Sequence, residues 1–138
     1  MAFNLFLEAA GHSLPEAQFA LGSMYKLGNG VAKNRDAAFN WYQKAAVQGH
    51  AIAQYNSGAI YEQGTRQVTR SFKNAAEWYR KAATQGDAKS QFALGLIYEK
   101  GKGVKKDLAE AAKWYGEAAK QGHAEAIRKV AKLKKLGF

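Results

Sequence analysis

Hydrophobic and polar positions alternate along this chain with the period of amphipathic helices, and the whole pattern returns at a nearly fixed interval. The segment WYQKAAVQG starts at Trp41 and returns as WYRKAATQG from Trp78 and as WYGEAAKQG from Trp114. The spacings of 37 and 36 residues mark an internal repeat. Each copy combines an aromatic pair, two alanines one turn later and a closing glycine. This pattern predicts a closely packed helix, which we name the B helix.

A second helix, the A helix, is predicted before each B helix, in AQFALGSMYKLG, AQYNSGAIYEQG and SQFALGLIYEKG. Phe19, Gly22 and Tyr25, and their equivalents in the other repeats, follow one another at steps of three and therefore share one flank of the helix. A glycine inside a helix costs about 1 kcal/mol relative to alanine. We therefore expect the A helix to approach the alanine pair of the following B helix closely at this glycine.

The predicted helix ends coincide from repeat to repeat. Left-handed glycine caps are expected after the A helices, at Gly28, Gly64 and Gly101. N-cap residues precede the B helices at Asn34, Ser71 and Asp107, and Glu110 is expected to complete a capping box with Asp107. His50, Asp87 and His123 share one repeat position at the start of an A helix, where a polar group serves the helix end.

The repeats predict one domain over residues 1–138. It comprises a half repeat at 2–14, full repeats at 15–50, 51–87 and 88–123, and a capping helix at 124–138. Because the half repeat has no A helix before it in the sequence, we expect residues 2–12 to contact upstream repeats or a second copy of the chain. Self-association through this half repeat is therefore possible.

The second repeat is irregular. It has one extra loop residue, lacks a glycine equivalent to Gly30 and Gly103, and carries Asn56-Ser57 where the other repeats have Ala-Leu. The irregularity reflects either drift in a tolerant loop or a local recognition pocket near Arg66 and Arg70.

Composition limits the chemistry of the 138-residue chain. The absence of cysteine excludes disulfides and thiolate metal sites, and the three histidines are too scattered for a ligand cluster. We predict no cofactor and no metal. No apolar run approaches the 18 or so residues of a membrane span, and no signal peptide is seen, so a cytoplasmic location is expected by default.

The net charge of +10 is unevenly distributed: residues 1–69 carry +1 and residues 70–138 carry +9. A solvated, lysine-rich helix surface explains this imbalance. The alternative is that the basic C-terminal half binds nucleic acid or another polyanion, which we favour less because its cations are not interleaved with exposed aromatic residues.

The motifs LGxxYxxGxGV and WYxKAAxQGxAxAQ resemble those of the Sel1-like repeat family, a relative of the tetratricopeptide repeats. The resemblance covers essentially the whole chain. It implies an all-α fold, a right-handed α/α superhelix (solenoid) of three helix hairpins with a half repeat at each end and with the A helices on the concave side. The family, often bacterial, is associated with adaptor and scaffold proteins.

By similarity to the tetratricopeptide arrangement, ten residues are predicted to contact a bound protein: Phe19, Ser23, Lys26, Tyr55, Ala59, Glu62, Lys89, Phe92, Leu96 and Glu99. The three aromatic residues among them are either contacts or core. No catalytic motif appears, so an enzyme is not predicted. We expect a non-enzymatic protein–protein interaction module, acting as an adaptor, a scaffold or an inhibitor or immunity-type binder.

Overall fold

The computed structural model describes residues 2–138, and these residues form eight α-helices and no strand. The helices are α1 (Ala2–Gly11), α2 (Pro15–Leu27), α3 (Arg35–Ala46), α4 (Ala51–Gln63), α5 (Phe72–Thr84), α6 (Ala88–Lys100), α7 (Leu108–Lys120) and α8 (Ala124–Lys134). The A helices are α2, α4, α6 and α8, and the B helices are α1, α3, α5 and α7. The predicted all-α class is confirmed. None of the described helices has both the length and the apolarity needed to cross a membrane.

Polar side chains fix where most of the helices begin. At each predicted N-cap a side-chain atom accepts a hydrogen bond from the backbone N–H three residues later, which satisfies one of the free donors of the first turn. This holds for the B-helix caps Asn34, Ser71 and Asp107 and for the A-helix caps His50, Asp87 and His123. The helix starts were therefore predicted correctly from the sequence.

Two predicted helix-end details are wrong. Gly64 has a positive φ of 75° but an extended ψ of 164°, whereas Gly28 and Gly101 are left-handed caps as expected. The chain leaves α4 in a different direction because this is the loop with the extra residue. The capping box also fails: the Asp107 N–H donates to the Tyr98 carbonyl, and the Glu110 carboxylate accepts from Trp114 Nε1 at 3.2 Å instead.

The described chain divides into two compact units, one extending to Arg70 and the other comprising Ser71–Phe138. Unit 1 contains α1 to α4 and unit 2 contains α5 to α8, so each has the helix order B–A–B–A, and within each unit successive helices pack on one another. Equivalent residues stand 73 positions apart, as Gly22 and Gly95 do. That all 138 residues act as one domain stays a prediction.

The largest fully buried side chains are the B-helix tyrosines, among them Tyr42 and Tyr115. Tyr42 and Tyr115 each lie against a glycine of the preceding A helix. A Cβ atom placed on Gly22 would be 2.6 Å from Tyr42 Cδ1, and one placed on Gly95 would be 2.5 Å from Tyr115 Cδ1. The prediction that these glycines face the alanine pairs is therefore wrong: the space is needed by an aromatic ring.

The tryptophans beside these tyrosines are covered to a lesser extent. Trp114 is buried, whereas Trp41 and Trp78 are partly buried. Trp41 packs on a cluster formed by Ala10, Ala17 and Leu21. A lysine lies over each tryptophan ring, for example Lys44 with its Nζ 4.4 Å from the Trp41 ring centroid. The tryptophans thus combine core packing with a cation–π contact at the surface.

The first and last described helices, α1 and α8, differ from the inner helices in the residues that stand at the positions of the tyrosine–glycine contact. Phe6 of α1 occupies the place of Tyr42 in the repeat but is 37% exposed, and its neighbour Leu5 is 69% exposed. In α8 the position of Gly95 is taken by Ala131, and the positions of Leu96 and Glu99 are taken by Lys132 and Lys135. The face of α1 that carries Phe6 is therefore apolar, whereas the face of α8 that carries Lys132 and Lys135 is basic.

Candidate functional site

A small groove lies between the two A helices of unit 1, with α3 beneath them. Its volume is about 70 Å³. We name it the unit-1 groove and define it by its lining residues: Lys26, Arg35, Ala38, Tyr42, Asn56, Ala59, Ile60 and Gln63. Lys26 and Ala59 belong to the predicted binding set. The groove therefore lies on the face of the A helices from which the predicted contacts were chosen.

The Tyr42 hydroxyl is the polar group among the buried residues that line the groove. It lies 3.2 Å from Ser23 Oγ, and either atom can be the donor. Burial raises the pKa of Tyr42 above its ordinary value, and the Ser23 hydrogen bond offsets part of this rise. The hydroxyl is therefore neutral in the physiological range and can donate a hydrogen bond.

The charged residues of the groove are both cationic. Lys26 is exposed in the last turn of α2, and its side chain forms no hydrogen bond or ion pair with a described residue. Arg35, in the first turn of α3, donates from Nη2 to Gln63 Oε1 at 2.6 Å. No carboxylate lines the groove. An anionic group placed there would meet two positive charges and no opposing acid.

The equivalent place in unit 2 is occupied by the chain itself. Glu99 replaces Lys26 and Lys129 replaces Asn56. The Tyr115 hydroxyl donates to Glu99 Oε1 at 2.7 Å, and Lys129 Nζ lies 3.2 Å from that carboxylate. Leucines complete the closure: Leu96 and Leu108, which replace Ser23 and Arg35, pack on the core around Tyr115. Unit 2 thus has an internal ion pair where unit 1 has an open groove.

This network changes the pKa values of its members in opposite directions. Burial and the hydrogen bond to Glu99 raise the pKa of Tyr115 well above its ordinary range. For Glu99, burial acts to raise the pKa, but the hydrogen bonds from Tyr115 and Lys129 and the charges of Lys129 and Lys132 together lower it. A carboxylate held by a tyrosine and a lysine is therefore stabilised in its ionised form.

The aromatic residues of the predicted set play a packing role in both units. Phe19 stacks on His50, with ring centroids 4.7 Å apart, and Phe92 stacks on His123 at 4.5 Å. The same rings lie tilted against Tyr42 and Tyr115 respectively. All four partners are intramolecular, and both phenylalanines remain partly exposed.

The remaining predicted residues are separated into those at the groove and those covered by neighbours. Ser23, Lys26 and Ala59 lie in or beside the unit-1 groove. Leu96 and Glu99 are engaged by α7 and α8, while Lys89 is exposed and Tyr55 and Glu62 are partly buried. Sequence reasoning missed six lining residues, namely Arg35, Ala38, Tyr42, Asn56, Ile60 and Gln63. The change from lysine to glutamate between Lys26 and Glu99 was the signal that could have found them.

A wider cleft of about 940 Å³ lies at the start of α3 and includes the irregular loop of the second repeat, with Lys33, Arg35 and Arg66 among its lining residues. Thr65 Oγ1 and the Gln67 N–H both donate to the Asp36 carboxylate. These hydrogen bonds hold the irregular loop against α3. Arg66 is part of the lining as expected, whereas Arg70 is not.

Several cations of the basic half are paired with acids of their own unit. Lys113 lies 3.9 Å from Glu110, Lys120 lies 3.2 Å from Glu117, and Lys129 pairs with Glu99. The first two pairs are surface contacts between residues three apart on one helix. This pairing leaves most of the unit 2 lysines facing solvent.

Comparison with known proteins defines the class of this repeat fold. A sequence profile of the Sel1 repeat matches residues 15–50, 51–87 and 88–123. These segments cover most of the chain, so the protein belongs to the Sel1 repeat family. The predicted family and solenoid class are therefore confirmed.

Three relatives show how far the similarity extends. A protective antigen from uropathogenic Escherichia coli strains, which has an SLR fold, is 36% identical over 90% of this chain, with a TM-score of 0.85. A Sel1 repeat protein from Oxalobacter formigenes is 41% identical over 86% of the chain, with a TM-score of 0.82. The chitin synthase regulator SKT5 of Saccharomyces cerevisiae is 49% identical over 45 residues, a third of this chain. The chain spans 26%, 49% and 6% of these proteins respectively.

Proposed function

We propose that this chain is a non-enzymatic protein-binding module that holds its partner on the face of the A helices, centred on the unit-1 groove. The observation that carries the proposal is the open groove itself. It combines a small apolar floor with a few convergent polar groups, as binding sites do. Membership of a family whose repeats generally mediate protein–protein interactions supports the same function.

The groove also explains why the two units would contribute unequally. In unit 2 the equivalent positions are covered by Lys129, Leu96 and Leu108, so a partner would meet a closed surface there. We therefore assign the main contacts to Ser23, Lys26 and Ala59. Phe19, Tyr55, Glu62, Lys89 and Phe92 remain proposed contacts on the A helices of their own units.

Filling the groove tests this function. Ala59→Trp would occupy the groove, whereas Ala109→Trp would place the same side chain on an exposed position of α7 as a matched control. Proteins captured from a native lysate by the unaltered chain would be quantified by mass spectrometry for all three forms. We expect the specific partner to be lost with Ala59→Trp and kept with Ala109→Trp. A partner retained equally by both variants would contradict the proposed site.

Polyanion binding by unit 2 is the alternative function, and salt dependence separates it from the first. Binding through many phosphate contacts weakens steeply as salt rises. Retention on a nucleic-acid column that exceeds what a protein of equal net charge shows would support this alternative. Partner binding that changes little between low and physiological salt would exclude it as the explanation.

The apolar face of α1 supports a further proposal, self-association of two copies through α1. Phe6 and Leu5 are exposed where the inner B helices bury their aromatic residues. A symmetric pair would bury both faces at once. Light scattering across a concentration series is expected to show a dimer that Phe6→Ser abolishes, and a strict monomer at high concentration would disprove it.

A further inference from the structure

We propose that the unit-1 groove binds an acidic side chain, glutamate or aspartate, of the partner protein. This inference deepens the proposed function, on which it rests, by naming the chemistry of the contact. It comes from the comparison of equivalent residues in the two units and from the charge of the groove.

Unit 2 shows which group the hydroxyl of a B-helix tyrosine binds when the chain itself supplies that group. The Tyr115 hydroxyl donates to a side-chain carboxylate at 2.7 Å, and a lysine completes the pair from the next A helix at 3.2 Å. Donors of this kind, a neutral hydroxyl and a cation, form the strong charge-assisted hydrogen bonds that carboxylates accept. The Glu99 site is thus a carboxylate site occupied from within the chain.

Unit 1 has donors of the same kinds, a tyrosine hydroxyl and a lysine, without the carboxylate. Tyr42 takes the place of Tyr115, and Lys26 provides the cation from α2 where Lys129 provides it from α8. The Tyr42 hydroxyl has Ser23 as its neighbour at 3.2 Å, and Ser23 can serve as either donor or acceptor. The tyrosine can therefore turn its proton to an incoming acid while Ser23 keeps its contact as a donor.

The other lining groups favour an acid over a neutral amide. Arg35 adds a second positive charge, and the Asn56 amide can donate where Lys129 does in unit 2. No acid opposes them among the lining residues. A groove volume of about 70 Å³ is suited to a single side chain such as that of glutamate or aspartate. A side chain that projects from the surface of a partner protein fits this volume, whereas a helix or a strand does not.

A titration monitored by NMR tests the inference on the full chain. The probes are blocked single residues: N-acetyl-glutamate methylamide, its glutamine counterpart, and N-acetyl-alanine, whose carboxylate is terminal. We expect saturable shifts of the Ser23, Lys26 and Asn56 amides with the glutamate probe and at least ten-fold weaker binding of the glutamine probe. Equal binding of glutamate and glutamine probes, or tighter binding of N-acetyl-alanine, would overturn the assignment of an acidic side chain.

Matched variants make the result specific. Lys26→Glu combined with Asn56→Lys installs the unit 2 pair in unit 1, so this variant is expected to fold and to lose the glutamate probe. Lys100→Gln removes an exposed lysine from the last turn of α6 and is expected to bind unchanged. Full binding by the double variant would overturn the inference. Partner loss with Ala59→Trp but not with the double variant would retain the proposed function and overturn only the acidic contact.

Discussion

Units 1 and 2 have the same helix order and the same tyrosine-on-glycine contact, yet they differ in what lies above the tyrosine hydroxyl. In unit 2 the hydroxyl donates to Glu99, which Lys129 neutralises. In unit 1 the hydroxyl faces a groove with two cations in its lining, and among the described residues its hydrogen-bond partner is Ser23. The comparison teaches that the packing of this repeat and its binding capacity depend on separate residues, because the ring is constant while its polar surroundings change.

The comparison also indicates which unit is the more stable and which is the more open to a partner. Between unit 1 and unit 2, leucines replace a serine and an arginine, and an ion pair replaces a lysine and an asparagine. These replacements bury apolar surface and satisfy a carboxylate, both of which favour the folded state. We therefore expect unit 2 to be the more stable of the two and unit 1 to carry the binding function.

Removing the shared ring has the largest expected effect. Tyr42→Ala and Tyr115→Ala each delete a fully buried aromatic side chain and should lower the free energy of unfolding by about 3–5 kcal/mol. The second change should cost more, because it also removes a donor from Glu99. Urea denaturation followed by circular dichroism measures both values. A loss below about 1 kcal/mol for either would show that the ring does not hold its unit together.

Adding a methyl group beneath the ring has the next largest effect. Gly22→Ala and Gly95→Ala place a Cβ within 2.6 Å of a tyrosine ring atom, and we expect a loss of about 1–3 kcal/mol despite the better helix propensity of alanine. Gly116→Ala in α7 is the matched control, since a Cβ there meets no neighbour within 4 Å. It should stabilise by up to about 1 kcal/mol. If all three variants gain stability, the close approach is not required.

Acid should weaken unit 2 through Glu99. Because the pKa of Glu99 is lower in the fold, its ionised form stabilises the protein above its unfolded pKa of about 4.3, and this contribution is lost as the pH falls through the folded value. Glu99→Gln should therefore cost about 1–2 kcal/mol at pH 7 and much less at pH 3. Unfolding measured at both pH values tests this, with Lys26→Gln as the equivalent change in unit 1. A cost for Glu99→Gln that is independent of pH would rule out the ion pair as its source.

The smallest expected effect is a gain in stability from a substitution in unit 1. Ser57 is fully buried, and its hydroxyl has no hydrogen-bond partner among the described residues. Its equivalents are Leu21 and Leu94 in the other A helices and Val130 in α8. Ser57→Ala removes an unsatisfied polar atom and should raise stability by about 1 kcal/mol. A thermal melt that moves down instead would indicate that the hydroxyl is satisfied in solution.

The helices and their caps were predictable because they depend on neighbours in sequence. Asn34 and His50 each bond to a backbone N–H three residues away, so a single pattern defines both the residue and its role. The partner of Gly22 was not predictable in the same way. The following helix carries both a tyrosine and two alanines in every repeat. Which of them contacts the glycine depends on how that helix is rotated about its own axis.

The groove was predictable only in part for a related reason. Lys26 and Ala59 follow from the face of the A helices, but Arg35 and Gln63 reach the groove from the first turn of one helix and the last turn of another. Their convergence depends on how α3 and α4 cross. The role of Glu99 was missed because the ion pair joins it to Lys129, thirty residues away.

Ala131 has a consequence for assembly. A chain of identical hairpins whose last A helix could receive the first B helix of another copy would polymerise end to end without limit. A phenylalanine or tyrosine arriving at α8 would instead strike the Ala131 methyl group, where the inner A helices have only hydrogen, and Lys132 and Lys135 would lose their water. We therefore expect Ala131, Lys132 and Lys135 to disfavour the docking of another B helix on α8.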